Sequence, residues 1–135
     1  RVAFAICYQD DDEYFLVDEE GYVLGYTSSE NKDLPRINFE EEIKVGFFID
    51  ENVVPVYLEL SKLFKQEQIK VSTMSFYPKY VNFSVEKGPE VLIGSKKSLR
   101  EAVLAISALL KQTELEDKEL KRIDLRYDKV IVSFK

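Results

Sequence analysis

The sequence predicts an α+β domain, a mainly antiparallel β-sheet with two helices packed on one face. Three observations carry that expectation. Tyr80-Val-Asn-Phe-Ser-Val-Glu86 alternates, with Val81, Phe83 and Val85 on one side and Asn82, Ser84 and Glu86 on the other, as a sheet with one wet face requires. Leu99, Ala102, Val103, Ile106, Leu109 and Leu110 repeat at helical intervals. From residue 51 the order of such segments is helix, strands, helix, strands, after an opening run of strands.

Taken in order, residues 2–8 and 14–18 are strand-like and flank an acidic bend at Asp10-Asp11-Asp12-Glu13. Glu20-Gly21 makes a tight turn into a third strand over Tyr22–Tyr26, which completes an antiparallel meander. Residues 27–45 read as the main irregular connection. Ser28 to Lys32 is polar there, and Leu34-Pro35-Arg36-Ile37 is extended, because a residue before Pro avoids the helical region. A helix fits residues 51–66, with Asp50 as N-cap, Val53, Val56, Tyr57, Leu60, Leu63 and Phe64 along one face, and Pro55 in the first turn, where its missing donor matters least. Residues 69–76, 80–86 and 90–93 follow as strands, with turns at Pro78 and at Lys87-Gly88-Pro89. Ser98 and Glu101 have capping-box spacing at the head of the second helix, which runs to Lys111. The acidic stretch 114–119 is a solvated connection or a frayed helix end. Two strand-like runs then meet at Tyr127-Asp128-Lys129.

Composition fixes the class of partner. The chain of 135 residues is 45% hydrophobic, with only five Gly and four Pro, which is the balance of one ordered domain over residues 1–135. A net charge of −6 works against nucleic acid and anionic membranes as main partners, because both select clustered Lys and Arg. No apolar run reaches the roughly 18 residues of a membrane span. The chain opens at Arg1, directly in strand-like sequence, which reads as a segment of a longer protein.

The chemistry is defined by what is missing. The chain has no His, so it lacks the commonest general base, the commonest metal ligand and every Ser-His or Cys-His nucleophile arrangement. One Cys, in the apolar run around Cys7, rules out a thiolate zinc site and an internal disulfide. Asp10–Glu13 lacks the alternating ligand pattern of a calcium loop, and with Glu40-Glu41-Glu42 it reads as solvated charge. Gly94-Ser95-Lys96-Lys97-Ser98 has no Gly-rich lead, so it reads as a strand turning into a capped helix rather than a phosphate loop. No catalytic residue, metal or cofactor is expected. Phe47-Phe48 and Phe76-Tyr77 with Tyr80 suit either an exposed recognition patch or the core, and the core is the expectation for each.

The chain's last residues stand apart. They form a strand-like hairpin with Tyr127 between Arg126 and Asp128 at its turn, the aromatic and charged mixture of interface hot spots. A domain that ends on a strand presents a sheet edge. The segment Ile123-Asp-Leu-Arg-Tyr-Asp128 resembles the terminal segment of the bacterial cell-division FtsQ/DivIB family. Phe15-Leu-Val-Asp-Glu-Glu-Gly21 with Val23-Leu24 resembles the family's entry into its β domain, Leu34-Pro35 its next connection, and Val91-Leu-Ile-Gly94 its strand-to-helix junction. The chain departs from the family at Arg36-Ile37-Asn38 and at Lys129-Val130, where relatives often carry Gly.

The resemblance implies a noncatalytic divisome scaffold. Its parent would be anchored in the cytoplasmic membrane by one helix, with this β domain on the extracytoplasmic side at the division septum. Residues 1–8 would be either the first strand of this sheet or the end of a preceding POTRA domain. The implied partners are the small bitopic proteins FtsL and FtsB (or DivIC), in a complex that helps regulate septal peptidoglycan synthesis. The expected partner-binding residues are Arg126, Tyr127, Asp128, Val130, Ile131, Val132, Ser133 and Phe134, acting by strand addition at the C-terminal edge. Against this stands ordinary sheet architecture, in which Arg126 pairs with Asp124 or Asp128 and Tyr127 closes the hairpin. Two rival functions remain, a carboxylate-dependent cell-wall glycan hydrolase and a binding module of a POTRA-containing secretion assembly.

Overall fold

A computed structural model describes residues 1–8, 13–28 and 34–135. The bend at Asp10–Asp12 and most of the polar loop 28–32 lie outside the described residues. Among those described, nine strands and two helices give the expected α+β class, and the strand pairs are mostly antiparallel. Of the described strand pairs, four are antiparallel and three parallel. The chain divides into two compact units, Arg1–Leu58 with Thr73–Tyr77, and Glu59–Ser72 with Pro78–Lys135.

The first unit holds β1 (Ala5–Tyr8), β2 (Tyr14–Val17), β3 (Val23–Thr27), β4 (Arg36–Phe39) and β5 (Met74–Phe76), in the order β3-β2-β1-β4-β5. The predicted meander is present as β1-β2-β3. Its turn is built on Gly21, whose φ of +87° only glycine adopts freely, and the Asp18 amide donates to the Tyr22 carbonyl across it. β1 lies between β2 and β4, so both its edges are paired, and its consecutive residues are buried on both faces. That is why Ala5, Ile6 and Cys7 run unbroken and fully buried instead of alternating.

The stretch 27–45, expected to be irregular, contains β4. Only four residues long, Arg36-Ile-Asn-Phe39 buries Ile37 and Phe39 while pairing in parallel with β1 on one side and β5 on the other. A strand this short, behind a proline, carries too little periodicity to announce itself. The predicted strand over 69–76 is also shorter, since only Met74–Phe76 belongs to the ladder and Val71 makes an isolated bridge to Val85.

α1 (Val53–Gln66) begins two residues after the predicted start. The Asp50 carboxylate accepts from the Asn52 amide, and the first intrahelical bond runs from the Val56 amide to the Asn52 carbonyl, which makes Asn52 the N-cap residue. Pro55 then falls at the third helical position, where no intrahelical donor is lost.

The second unit holds β6 (Tyr80–Ser84), β7 (Glu90–Gly94), α2 (Leu99–Leu115), β8 (Leu120–Leu125) and β9 (Ile131–Phe134), with the strands in the order β6-β7-β8-β9. α2 connects the parallel strands β7 and β8, as a crossover must. The alternation read for β6 is present, with Val81 and Phe83 buried. Phe64 meets Phe83 edge to face at 4.9 Å between ring centroids, which seats the second half of α1 on that apolar side. β7 is the inner strand, and Val91, Leu92 and Ile93 are buried on both faces.

α2 starts as predicted, with Ser98 Oγ accepting from the Glu101 amide at 3.3 Å. It extends past Lys111 into the acidic stretch and closes on a Schellman pattern. The Lys118 amide donates to the Thr113 carbonyl and that of Asp117 to Glu114, with Asp117 at φ +54°. An aspartate in a left-handed position stores strain that glycine removes. Accordingly Asp117→Gly should raise stability by about 0.5–1 kcal/mol and Ser98→Ala should lower it by about 1 kcal/mol, both read from urea midpoints at unchanged m-value.

Candidate functional site

The expected partner-binding residues gather where β8 passes into β9. Tyr80 is registered opposite Gly94 across β6 and β7, and Ile93 opposite Leu125 across β7 and β8, so Arg126 emerges beside Gly94. A Cβ on Gly94 would stand 3.1 Å from the Arg126 Cα and 3.1 Å from its carbonyl oxygen. The glycine opens the turn into α2, as expected, with the Lys97 amide donating to its carbonyl, and it also lets two backbones close. The Arg126 guanidinium reaches the Tyr80 ring, 5.3 Å from its centroid.

Asp124 holds that guanidinium in place. Its carboxylate is buried and accepts from Arg126 Nε at 3.0 Å, from Nη2 at 2.7 Å, and from the Arg126 backbone amide at 3.0 Å. The hydrogen bonds from Arg126 outweigh burial and hold the Asp124 carboxyl below the ordinary aspartate range, with Arg122 adding a weaker pull. Asp124 in turn raises Arg126, which stays charged. Of the two arrangements open to Arg126, the internal pair with Asp124 is the one formed.

The Tyr127 ring also lies against the Arg126 guanidinium, 5.3 Å from ring centroid to Cζ, and is itself 56% exposed. Asp128, Lys129 and Val130 are exposed in the connection, so β9 begins one residue after the expected Val130. Along β9, Ile131, Ser133 and Phe134 are exposed and Val132 half-buried. Val132 lies opposite buried Ile123, while Ile131 lies opposite Asp124, so an apolar side chain projects on each face. Lys118 Nζ lies 5.8 Å from the Phe134 ring centroid. β9 ends the strand order of its unit, with β8 as its neighbour. The Lys135 amide donates to the Glu119 carbonyl, and the two-residue alternation of a strand then turns the amides of Val132 and Phe134 away from β8.

Two features of this site leave no signal in the sequence. The position of Tyr80 under Arg126 depends on a strand register that local patterning does not contain. The requirement for glycine at position 94 comes from β8, distant in the chain. Elsewhere, Phe76 is buried as expected, whereas Tyr77, Phe47 and Phe48 are exposed, contrary to the core reading. Phe47 and Phe48 lie in a loop whose anchors are Ile43 and Ile49, and these two isoleucines take the buried positions instead.

The other groups with chemical potential are quiet. Burial pushes the Cys7 thiol up to about 12, so it is protonated at neutral pH. Burial alone would raise Asp18, but Arg1 and the backbone amides of Tyr22 and Glu20 hold it below its ordinary value. No cluster of three potential metal ligands occurs among the described residues, and no helix there is long and apolar enough to cross a membrane.

Two measurements check this geometry. Gly94→Ala drives a methyl group into the β8 backbone, which cannot swing aside as a side chain can, so it should lower stability by about 1–3 kcal/mol. An unchanged urea midpoint would show the approach to be looser than described. Because Asp124 is depressed in the folded state, its contribution is complete above the unfolded carboxylate value near 4 and disappears as pH falls through the lower folded value. Asp124→Asn should therefore flatten the acid limb of the stability curve while leaving its slope above about pH 6 unchanged.

A search among curated proteins returned no match to this chain. The family model described as cell division protein FtsQ/DivIB, C-terminal, matches residues 5–126, a span that takes in every element from β1 to β8 and stops at Arg126, leaving β9 beyond it. With most of the chain matched and the resembling segments lying in the same order, the chain belongs to the FtsQ/DivIB family of cell-division proteins.

Proposed function

We propose that this domain is a noncatalytic scaffold of the division machinery whose β9 edge takes up an extended segment of a small bitopic partner of the FtsB/DivIC type, with an FtsL-like protein joining the same complex. The observation that carries the reading is a terminal edge strand free of charge along Ile131–Phe134, with Ile131 and Phe134 exposed and Tyr127 and Val130 exposed beside it. Folded proteins usually blunt such an edge with charge, proline or a covering loop, because it templates pairing with other chains. An apolar edge left open suits a partner that adds a strand. Main-chain bonds would supply affinity and the alternating side chains selectivity.

The division of labour at the site follows from its geometry. Arg126, committed to Asp124, acts as a fixed platform for Tyr127 more than as a loose charge seeking a carboxylate. A ring held against a clamped guanidinium has lost its freedom before binding, which is the condition for a strong anchor. Asp128 and the β9 side chains complete the surface.

The two described carboxylates that are buried, Asp18 and Asp124, are each paired with an arginine and held below the ordinary range. A glycan hydrolase needs one acid pushed the other way so that it can donate a proton at neutral pH, so neither fits that role. Division-septum association follows the family. Anchoring of the parent by one membrane helix, an extracytoplasmic position for this domain and a part in regulating septal peptidoglycan synthesis belong to the same proposal.

Binding to the extracytoplasmic segment of an FtsB/DivIC-type partner tests it. Tyr127→Ala should weaken binding about 30-fold, equivalent to about 2 kcal/mol, without moving the melting temperature. The amides of Val132 and Phe134 should exchange quickly in the free chain and become protected in the complex. Full affinity in Tyr127→Ala, together with no new protection along β9, would remove the edge as the binding site.

A further inference from the structure

The first unit carries an exposed aromatic feature that the β9 edge does not use. Phe47 is 64% and Phe48 56% exposed, with Val45 exposed beside them. The loop bearing them is not loose. Ile43 and Ile49 are buried at its two ends, and three backbone bonds fasten it to the outer side of β3: Val23 amide to Phe47 carbonyl, Gly46 amide to Val23 carbonyl, and Ile49 amide to Gly21 carbonyl. Gly46 supplies the left-handed residue at φ +88° that the turn requires. The rings are thus exposed by a loop whose conformation is fixed in advance, which lowers the entropy lost on binding.

The surroundings are acidic. Glu40, Glu41, Glu42, Asp50 and Glu51 flank the loop in sequence against Lys44 alone. Arg1, which reaches Phe48, also lines an open depression of about 580 Å³ together with Val2, Ala3, Phe4, Asp18, Glu19 and Glu20. The chain already shows what this surface accepts. The Arg1 guanidinium stands 4.5 Å from the Tyr22 ring centroid and 5.5 Å from that of Phe48, with Nη1 2.5 Å from Asp18 and 3.8 Å from Glu20. Aromatic faces take the guanidinium plane while carboxylates take its charge, a pairing for which arginine is better suited than lysine.

The geometry points to a second docking surface, formed by the Phe47-Phe48 loop and the depression that Arg1 shares with Asp18, Glu19 and Glu20, for an arginine-bearing segment of a partner protein. Guanidinium groups of that segment stack on the exposed rings and pair with the surrounding carboxylates, repeating between chains what Arg1 does within this one. Charge complementarity selects the occupant. A chain of net charge −6, with an acidic excess in the residues flanking these rings, repels anionic lipid and attracts a basic segment. This surface is independent of β9, and its failure would leave the edge proposal untouched.

The test uses the 135-residue chain and fluorescein-labelled synthetic peptides that alternate leucine with arginine, lysine or glutamate, followed by fluorescence anisotropy. The arginine peptide should bind, the lysine peptide several-fold more weakly, and the glutamate peptide not at all. Phe47→Ala with Phe48→Ala should lower affinity for the arginine peptide about tenfold or more, whereas Tyr127→Ala should leave it unchanged. Phe48 also packs edge to face on Tyr22, 5.2 Å between ring centroids, so Phe47→Ala alone, which should melt with the wild type, is measured beside the double variant. Equal affinity in a double variant that melts normally, or equal binding of arginine and lysine peptides, would overturn the proposal. So would a concentration-dependent mass in sedimentation that the double variant abolishes, since the surface would then join two copies of the chain. Binding to phosphatidylglycerol vesicles lost in the same variant would overturn it equally.

Discussion

The second unit depends on one close approach, the passage of the Arg126 backbone over Gly94. β7 and β8 are parallel and buried on both faces at their centres, so they must come together along their whole length for Val91, Ile93, Ile123 and Leu125 to be shielded from water. At the end of that ladder any side chain on residue 94 would wedge the strands apart. With glycine there, Arg126 is drawn into reach of both Asp124 and Tyr80. The ion pair then covers a carboxylate that would otherwise be buried without a counter-charge, a condition that destabilises strongly. Core packing and the surface that Tyr127 presents are therefore consequences of the same missing side chain.

The sequence showed those parts of this arrangement that local chemistry writes down. The Ser98 cap, the apolar stripe of α2 and the alternation of β6 each involve residues within a few positions of one another, and each is found. What escaped reading depends on partners distant in sequence. β4 has only Ile37 and Phe39 to mark it, and its strand character comes from lying between β1 and β5. The exposure of Phe47 and Phe48 depends on Ile43 and Ile49 winning the buried positions, a competition among four apolar residues that periodicity does not decide. The end of α1 at Gln66 is found where it was expected, but α2 runs on to Leu115, because Asp117 occupies the left-handed position usually given to glycine. At the candidate site, Tyr127 beside Arg126 was legible as a motif, but the choice of Asp124 over Asp128 as partner for Arg126 was not. Aspartates on both sides of the arginine fit equally well until backbone direction is known.

Charge is distributed in keeping with two surfaces of different character. From Lys118 to Lys135 basic residues outnumber acidic ones, in a chain whose net charge is −6. The acidic excess therefore falls upstream, part of it around the Phe47-Phe48 loop. A partner segment suited to one surface is then poorly suited to the other, since like charge opposed across an interface disfavours the wrong pairing. Aromatic side chains supply contact area in both places, so discrimination rests on the charges beside them.

The two units treat an edge strand differently. β3 ends the strand order of the first unit and β9 that of the second, and each has outward main-chain groups. The β3 edge is occupied at Gly21 and Val23 by the loop that follows β4, at the expense of leaving two phenylalanines in water. The same fold thus has a means of covering an edge and uses it at β3. At β9 the described residues include no such cover, and the strand has neither proline nor charge between Ile131 and Phe134. An edge that is apolar, uncharged and uncovered is a liability to a chain that keeps it free. It ceases to be one when a partner strand occupies it, so the contrast between the two edges favours β9 as a surface kept for binding.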